Sequence, residues 1–176
     1  MRYHHTKNKG DLGVVEAMAD LARKGWSIFV PLTEHEAFDV AAYRDGRFLR
    51  VQVKYRAAVS GVIKFPLSSV WADRKGNHVV PMNRSSIDVI SIYCPNTQHC
   101  YYVDPKECGV WICLRIEPTR NSQAKGVTWA KDFIEIPPTV LGVAAGFSTP
   151  LERKPLVSHS REPRAVLLTS AHSLVG

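Results

Sequence analysis

The sequence contains no apolar run of about 18 residues, which is the length that a membrane-spanning helix needs. It also lacks a basic segment followed by an apolar stretch near its amino terminus, which is the pattern of a secretion signal. These two absences predict a cytoplasmic protein that is neither inserted into a membrane nor secreted. Thiols stay reduced in that compartment, so the cysteines are predicted to be free.

The cysteines also lack the short paired spacings that are typical of structural zinc sites. Five, seven and four residues separate the four cysteines, which are Cys94, Cys100, Cys108 and Cys113. Cys94 and Cys100 are expected to face each other across the loop of a hairpin. Because the spacings do not match, zinc is not expected as a cofactor.

Acidic residues are outnumbered, with 16 Asp and Glu against 23 Lys and Arg and a formal charge of +7. This excess favours a polyanionic partner, either nucleic acid or an acidic membrane surface. The 176 residues are enough for one domain with a sizeable core, which we predict over residues 1–138. Residues 139–176 contain several prolines and no sustained hydrophobic period, which predicts a disordered or loosely attached tail.

A β-hairpin is predicted over residues 38–55. Runs rich in β-branched and aromatic residues flank Asp45-Gly46, a pair that suits a type I′ turn because both central positions need positive φ. This turn places Arg44 opposite Arg47. The same register, continued along the strands, places Asp39 directly opposite Gln52.

Side chains alternate between the two faces of a strand, so Gln52 and Lys54 share one face and Asp39 lies beside them. The opposite face carries the apolar residues Leu49, Val51, Val53 and Tyr55, which predicts the core side. A carboxylate, an amide and an ammonium group therefore converge. Hydrolysis of a phosphodiester needs such groups: a carboxylate for a hard divalent cation, a second oxygen donor, and a cation near the attacking water. An ordinary solvated hairpin face is the alternative.

Outside the hairpin, the hydrophobic pattern predicts a helix from Gly10 to about Lys24, ended by Gly25. Asp11 suits its cap or first turn. The predicted apolar stripe of the helix comprises Leu12, Val15, Met18, Ala19 and Ala22. Strands are predicted over residues 26–31, 62–67, 77–81, 87–94, 100–103 and 110–116. Residues 127–136 form an amphipathic segment.

Two polar segments are candidates for contacts with nucleic acid. Residues 1–9 are predicted to form a mobile basic arm, in which Lys7 and Lys9 could contact phosphates. In residues 118–125, amide and cationic donors suit phosphates or base edges. These donors are Arg120, Asn121, Gln123 and Lys125. A solvated loop explains residues 118–125 equally well.

Asp39 and the run Gln52-Val53-Lys54 resemble the PD-(D/E)XK nuclease motif, in the variant in which glutamine replaces the second acid. That variant occurs in the group I intron-associated homing endonucleases of the superfamily. Further similar stretches span residues 7–136 in order. They are Lys9-Gly10-Asp11-Leu12-Gly13, residues 50–55, residues 87–103, Leu114-Arg115-Ile116-Glu117-Pro118, Asn121-Ser122-Gln123 and Trp129-Ala130-Lys131-Asp132-Phe133.

The resemblance implies an α/β (α+β) fold, a restriction-endonuclease-like core with a mixed β-sheet flanked by helices. It implies a magnesium-dependent DNA endonuclease that binds double-stranded DNA and assembles as a homo-oligomer, either a dimer or a tetramer. By the same resemblance, Asp39 and the Val53 backbone carbonyl bind the metal. Gln52 takes the place of the second acid, and Lys54 positions the nucleophilic water.

One position departs from the family pattern. Related sequences carry a glutamate on the first helix where this chain has Val14. Asp11 lies about 60° away around the helix, one turn earlier, and is the substitute that we predict as a further metal ligand. Alternatively, the protein is a catalytically impaired DNA-binding module. A junction-resolving or repair nuclease is a further alternative, since one fold serves many substrates.

Overall fold

The computed structural model describes residues 5–33, 35–74, 76–119 and 125–142. Its helices are α1 (His5–Arg23) and a short 3-10 helix (Ala130–Phe133). Its strands are β1 (Ser27–Phe29), β2 (Val40–Arg44), β3 (Arg47–Tyr55), β4 (Val62–Pro66), β5 (Ser68–Asp73), β6 (Gly76–Pro81), β7 (Val89–Cys94), β8 (His99–Val103) and β9 (Trp111–Arg115). Within these residues, no helix is both long and apolar enough to cross a bilayer.

The central sheet has five strands in the order β1-β2-β3-β7-β8. Strands β3 and β7 are parallel, and the other neighbours are antiparallel. The predicted mixed sheet is therefore confirmed. The hairpin register is also confirmed, since Arg44 pairs with Arg47 and the turn residues Asp45 and Gly46 have φ values of 51° and 80°.

Strand β7 lies between β3 and β8 and is buried on both faces. On one face, α1 packs over an apolar cluster that includes Leu21, Val51 and Val53. On the other face, Ile90 and Ile92 pack against the separate two-stranded sheet formed by β4 and β9. We call the first the helix-side cluster and the second the β4–β9 cluster.

The start of α1 differs from the prediction. The helix begins at His5, so residues 5–9 are helical and not a mobile arm, and Asp11 lies inside the helix and not at its cap. The sequence signal misled because Gly10 is a weak helix former and Asp11 a good cap. The predicted end is confirmed, because Gly25 has a φ of 82° and its N–H donates to the Ala22 carbonyl.

The predicted apolar stripe of α1 is also wrong in most members. Leu12 and Val15 are 44% and 61% exposed, whereas Ala17 and Leu21 are fully buried. Gly13 explains the rotation: a Cβ added there would lie 3.3 Å from the Tyr55 Cβ, so the helix crosses β3 at its smallest residue. The helix buries the face that permits this close approach.

Strand β5 was not predicted, and it pairs with β6, which was predicted over residues 77–81. In the β7–β8 hairpin, Cys94 pairs with His99, while Cys100 pairs with Tyr93. The predicted facing of Cys94 and Cys100 is therefore wrong. The turn closes one residue earlier because the Gln98 N–H donates to the Cys94 carbonyl. The two thiols lie in different clusters, and all four cysteines are free.

Near its described end, the chain packs against the helix-side cluster through Val140 and Leu141. The amphipathic segment over residues 127–136 forms only the short 3-10 helix. Residues 143–176, which make up most of the predicted tail, lie outside the described residues. The division of the chain at residue 138 stays a prediction.

Candidate active site

Asp39 lies at the end of the β2–β3 ladder, directly before β2. Its N–H donates to the Val51 carbonyl at 3.0 Å, and its Oδ2 accepts the Val53 N–H at 2.6 Å. The ladder itself ends at Val40 and Val51. Beyond the last ladder pair, Asp39 is therefore joined to β3 through its side chain. The sequence predicted a direct pair between Asp39 and Gln52, and the ladder does not contain it.

The Val53 carbonyl lies on the same side of β3 as the Asp39 carboxylate. The N–H and C=O groups of one strand residue point to the same side, as the paired exchange of hydrogen bonds in antiparallel strands requires. The Val53 N–H is directed to Asp39. The carbonyl that the sequence resemblance assigned to the metal thus faces the carboxylate assigned to it.

Gln52 has one satisfied and one unsatisfied group. Its Nε2 donates to the Ala37 carbonyl at 3.3 Å, which holds the loop before Asp39. Its Oε1 is buried and has no hydrogen-bond partner among the described residues. Leaving a buried acceptor unpaired costs about 1–3 kcal/mol, so this oxygen is suited to a donor or a cation that binds from outside.

Lys54 lies two residues further on the same face of β3. Its neighbour across the sheet is Ile92, so Lys54 lies at the border of the β4–β9 cluster. Burial lowers the pKa of Lys54; the negative charge of Asp39 opposes this shift, and the positive charge of Arg56 adds to it. The side chain is thus a cation close to Asp39 whose proton is held less tightly than usual.

A cavity of about 440 Å³ brings α1 and the Asp39 region together. Its wall includes Asp11 and Asp39, together with Lys7 and Val14. The structure therefore unites the two predicted carboxylates. It also places Val14, where the resemblance predicts a helix glutamate, in the wall of the same cavity.

Glu36 is a further carboxylate in this wall, and the sequence analysis missed it. It lies in the loop three residues before Asp39, and this short separation in sequence was the only signal for it. The loop has no hydrophobic period, so no pattern predicted that Glu36 would line a cavity together with residues of α1.

The donor set fits a hard divalent cation. Carboxylate, amide and carbonyl oxygens are the ligands that magnesium and calcium prefer. Among the described residues, no group of three or more His, Cys, Asp or Glu side chains is placed to hold a metal ion. A complete shell here would therefore include the Gln52 amide oxygen and the Val53 carbonyl beside the carboxylates.

The opposite end of the parallel β3–β7 pair is held by an ion pair. Arg50 donates from Nε to Asp88 Oδ2 at 3.0 Å and from a terminal nitrogen to Oδ1 at 2.9 Å. The Arg50 N–H also donates to Asp88 Oδ2, and the Asp88 N–H donates to the Arg50 carbonyl. Burial raises the pKa of Asp88, but the hydrogen bonds and charge of Arg50 outweigh burial and lower it. This contact fixes the β3–β7 register that carries the site.

The predicted DNA-binding residues are only partly brought together. Lys7 and Lys9 are exposed on α1, and the Lys9 Nζ lies 6.0 Å from the centre of the Tyr55 ring. Lys125 is exposed but does not line the cavity of Asp39. Arg120, Asn121 and Gln123 lie outside the described residues.

The sequence matches a family model described as PD-(D/E)XK endonuclease over residues 4–136. A solved structure of a bacterial homing endonuclease, I-Ssp6803I, is similar to the chain with a TM-score of 0.61. The similarity covers 73% of this chain and 88% of that one at 18% sequence identity, a level that establishes the restriction-endonuclease-like fold. No curated protein matches the sequence.

Proposed function

This chain belongs to the PD-(D/E)XK endonuclease family, and on that premise we propose that it is a metal-dependent DNA endonuclease that cleaves specific sites in the manner of a homing endonuclease. One observation carries the proposal. The end of the β2–β3 ladder joins Asp39 to the Val53 backbone, next to the unpartnered Gln52 Oε1 and the partly buried Lys54.

The residues that would hold the metal are Asp39, Gln52 and the Val53 carbonyl. A divalent cation, which we propose is magnesium, would supply Lewis-acid polarisation of the phosphate and activation of the attacking water. The Val53 N–H fixes the Asp39 carboxylate in one orientation, which leaves its second oxygen for the cation. The Ala37 carbonyl likewise holds the Gln52 amide so that Oε1 stays available.

Lys54 acts on the water and the phosphate. Its ammonium donates hydrogen bonds to the attacking water and stabilises the negative charge that develops on the phosphoryl oxygens. The partly buried position strengthens these interactions, because burial has already removed part of its hydration.

Asp11 is proposed as the carboxylate that compensates for Val14, since it shares a cavity with Asp39. Lys7 and Lys9 are both exposed, and Lys7 lines the cavity. We propose that both contact phosphates of double-stranded DNA. We further propose a homo-oligomer, dimeric or tetrameric, because a cut in both strands needs two such sites. The proposed place of action is the cytoplasm, at the nucleoid.

A second candidate function is a catalytically impaired DNA-binding module of the same fold. Val14 favours it, because an apolar side chain occupies the cavity wall where the related sequences carry a glutamate. The two candidates differ in one measurable property, which is cleavage in the presence of magnesium.

The test is incubation of the full chain with magnesium and a randomised duplex DNA library, followed by sequencing of the cut ends. We expect discrete cut sites for the wild-type protein and none for Asp39→Ala. The matched control is Asp132→Ala, an exposed aspartate on the 3-10 helix that does not line the cavity of Asp39. Equal cleavage by Asp39→Ala and wild type would contradict the assignment. Binding without cleavage by the wild type would favour the second candidate.

A further inference from the structure

A second cavity, of about 400 Å³, lies where the β7–β8 turn meets the end of β9 and the 3-10 helix. Aromatic rings and cations share its wall: His99, Tyr101, Arg115, Trp129 and Lys131. None of the described residues that line it is an aspartate or a glutamate. We call it the aromatic pocket.

Among the described residues, no carboxylate pairs with the lysine or arginine of the aromatic pocket. In the part of the chain that the structure describes, neither Arg115 nor Lys131 forms a salt bridge. The Lys131 Nζ lies 5.8 Å from the centre of the Trp129 ring, so the cation stands beside an aromatic face that is only partly buried. An anion with an attached planar ring fits such a pair of groups.

The walls of the pocket are held by the fold. The Arg115 N–H donates to the Thr128 carbonyl at 2.9 Å, which ties β9 to the segment that carries Trp129. The Tyr101 hydroxyl donates to Thr97 Oγ1 at 2.9 Å. The aromatic and cationic groups are therefore positioned before any ligand arrives.

A cavity of similar size elsewhere has the opposite charge. It measures about 450 Å³ and is lined by four carboxylates, with no Lys or Arg among its described lining residues. These carboxylates belong to Asp104, Glu107, Asp132 and Glu135. The basic character of the aromatic pocket is thus a local feature and does not simply follow from the net charge of the chain.

The register of the sheet places the aromatic pocket near Lys54. Lys54 pairs with Ile92, and Ile92 pairs with Tyr101, so all three side chains lie on one face of neighbouring strands. Strands lie about 4.8 Å apart, which puts the Lys54 and Tyr101 backbones roughly 10 Å from each other. That distance corresponds to about three base-pair steps of 3.4 Å along the helix axis of B-form DNA.

We propose that the aromatic pocket binds an unpaired nucleotide of the DNA strand, with its base stacked on Trp129 and its phosphate held by Arg115 and Lys131. The base must be unpaired because its flat face is otherwise covered by its neighbours in the duplex. This inference rests on the proposed function, since it gives the substrate of that site a second point of attachment.

The test measures binding of a short, labelled single-stranded oligothymidylate to the full chain in EDTA, by fluorescence anisotropy and by quenching of tryptophan fluorescence. Trp129→Ala is expected to weaken binding roughly 5- to 100-fold, the range for loss of one stacked base. Arg115→Ala and Lys131→Ala should each weaken binding and lower the salt dependence of log K by about one. Trp129→Phe keeps a ring and should bind within a few-fold of wild type, with less quenching.

Lys106→Ala is the matched control, because Lys106 is exposed and lines neither the aromatic pocket nor the cavity of Asp39. Thermal melting of each variant shows whether it folds. Binding by Arg115→Ala and Lys131→Ala equal to that of Lys106→Ala, or undiminished quenching in Trp129→Phe, would overturn the proposal. Competition by thymidine and by inorganic phosphate separates recognition of the base from recognition of the phosphate.

Failure of the pocket and failure of the nuclease remain distinguishable. EDTA removes cleavage from the binding measurement, so a protein that never cleaves still reports on the pocket. Conversely, cleavage that depends on Asp39 while the pocket variants bind like Lys106→Ala would leave the nuclease standing and reject only the pocket.

Discussion

The candidate active site has a sheet side, with Asp39, Gln52 and Lys54, and a helix side on α1, and different forces position their groups. Of these three sheet-side residues, only Asp39 lines the cavity that α1 shares. On the sheet side, hydrogen bonds to the β3 backbone hold Asp39, and a hydrogen bond to the Ala37 carbonyl holds the side chain of Gln52. On the helix side, only packing of α1 over β3 decides which residues face the cavity. Sheet register changes in whole-residue steps, whereas a packed helix can rotate by a fraction of a turn. The sheet side is therefore the more rigid half of the site.

This difference explains where the family pattern is kept and where it is not. The sheet side carries Asp39, Gln52 and Lys54 at the positions of the motif, whereas the helix side has Val14 in the place of an acid. A carboxylate can enter the cavity from another position of α1, as Asp11 does. A strand offers no such freedom, since a shift of one residue turns the side chain to the other face.

The largest effect is expected from breaking the sheet side at Lys54. Lys54→Ala should lower the rate of magnesium-dependent cleavage roughly 10²- to 10⁴-fold, because it removes the cation that we propose lies beside the attacking water. Duplex binding measured in EDTA should stay within a few-fold, as it should in the Lys106→Ala control. As the pH rises, wild-type cleavage should decline when Lys54 loses its proton. Because the pKa of Lys54 is lowered, this decline should begin at a lower pH than it would with an ordinary lysine. Cleavage by Lys54→Ala at the wild-type rate would refute its role.

A smaller effect is expected from breaking the helix side at Asp11. Asp11→Ala should raise the magnesium concentration needed for cleavage by roughly 10- to 100-fold, in line with the loss of a supporting group at a metal site. Isothermal titration calorimetry with magnesium reports the same loss without any turnover.

A second substitution on the helix side should reverse this loss of magnesium affinity. Val14→Glu in the Asp11→Ala background returns a carboxylate to the same cavity, at the position where the resemblance predicts a glutamate. Recovery of magnesium affinity would show that the cavity needs a helix carboxylate but accepts it from either position. Unchanged magnesium affinity in Asp11→Ala itself would instead show that Asp11 is not the compensating acid.

The two sides also differ in how far the sequence determines them. Asp45-Gly46 specifies a turn with two positive φ values, and that turn alone sets the register of β2 and β3. No comparable signal sets the rotation of α1, which depends on the contact of Gly13 with Tyr55, 42 positions apart in the sequence. The local signals at Gly10 and Asp11 even favoured a later start.

The aromatic pocket shows the same limit. Its walls come from β8, β9 and the 3-10 helix, so they meet only when the chain has folded. The resemblance included the stretch with Trp129 and Lys131, but the amphipathic pattern of residues 127–136 predicted no contact with β8 or β9. The pairing of Arg115 with Trp129 is a long-range contact that no local pattern indicates.

A third prediction concerns the stability of the sheet side. Arg50→Ala should lower the free energy of unfolding by about 1–2 kcal/mol at neutral pH, since the ion pair with Asp88 is partly exposed and its charges are screened. Because the pKa of Asp88 is lowered, its contribution is present above the ordinary carboxylate pKa and is lost as the pH falls through the lowered value. Urea unfolding should therefore show a deficit that shrinks in acid. A deficit that is equal at neutral and strongly acidic pH would contradict this account.

The smallest effect is expected at the contact that sets the rotation of α1. A Cβ added at Gly13 would lie 3.3 Å from the Tyr55 Cβ, whereas one added at Gly10, in the same helix, would meet nothing within 4 Å. Replacing a helical glycine by alanine gains about 1 kcal/mol of helix propensity in either case. Gly10→Ala should therefore raise the free energy of unfolding by about that amount. Gly13→Ala has the same gain, but α1 must move away from β3, so the net change should be a loss of about 1 kcal/mol. Equal stabilisation by both changes in urea unfolding would show that the helix is free to move. Because Asp11 is carried on the same turn, Gly13→Ala should also weaken magnesium binding, while Gly10→Ala should leave it unchanged.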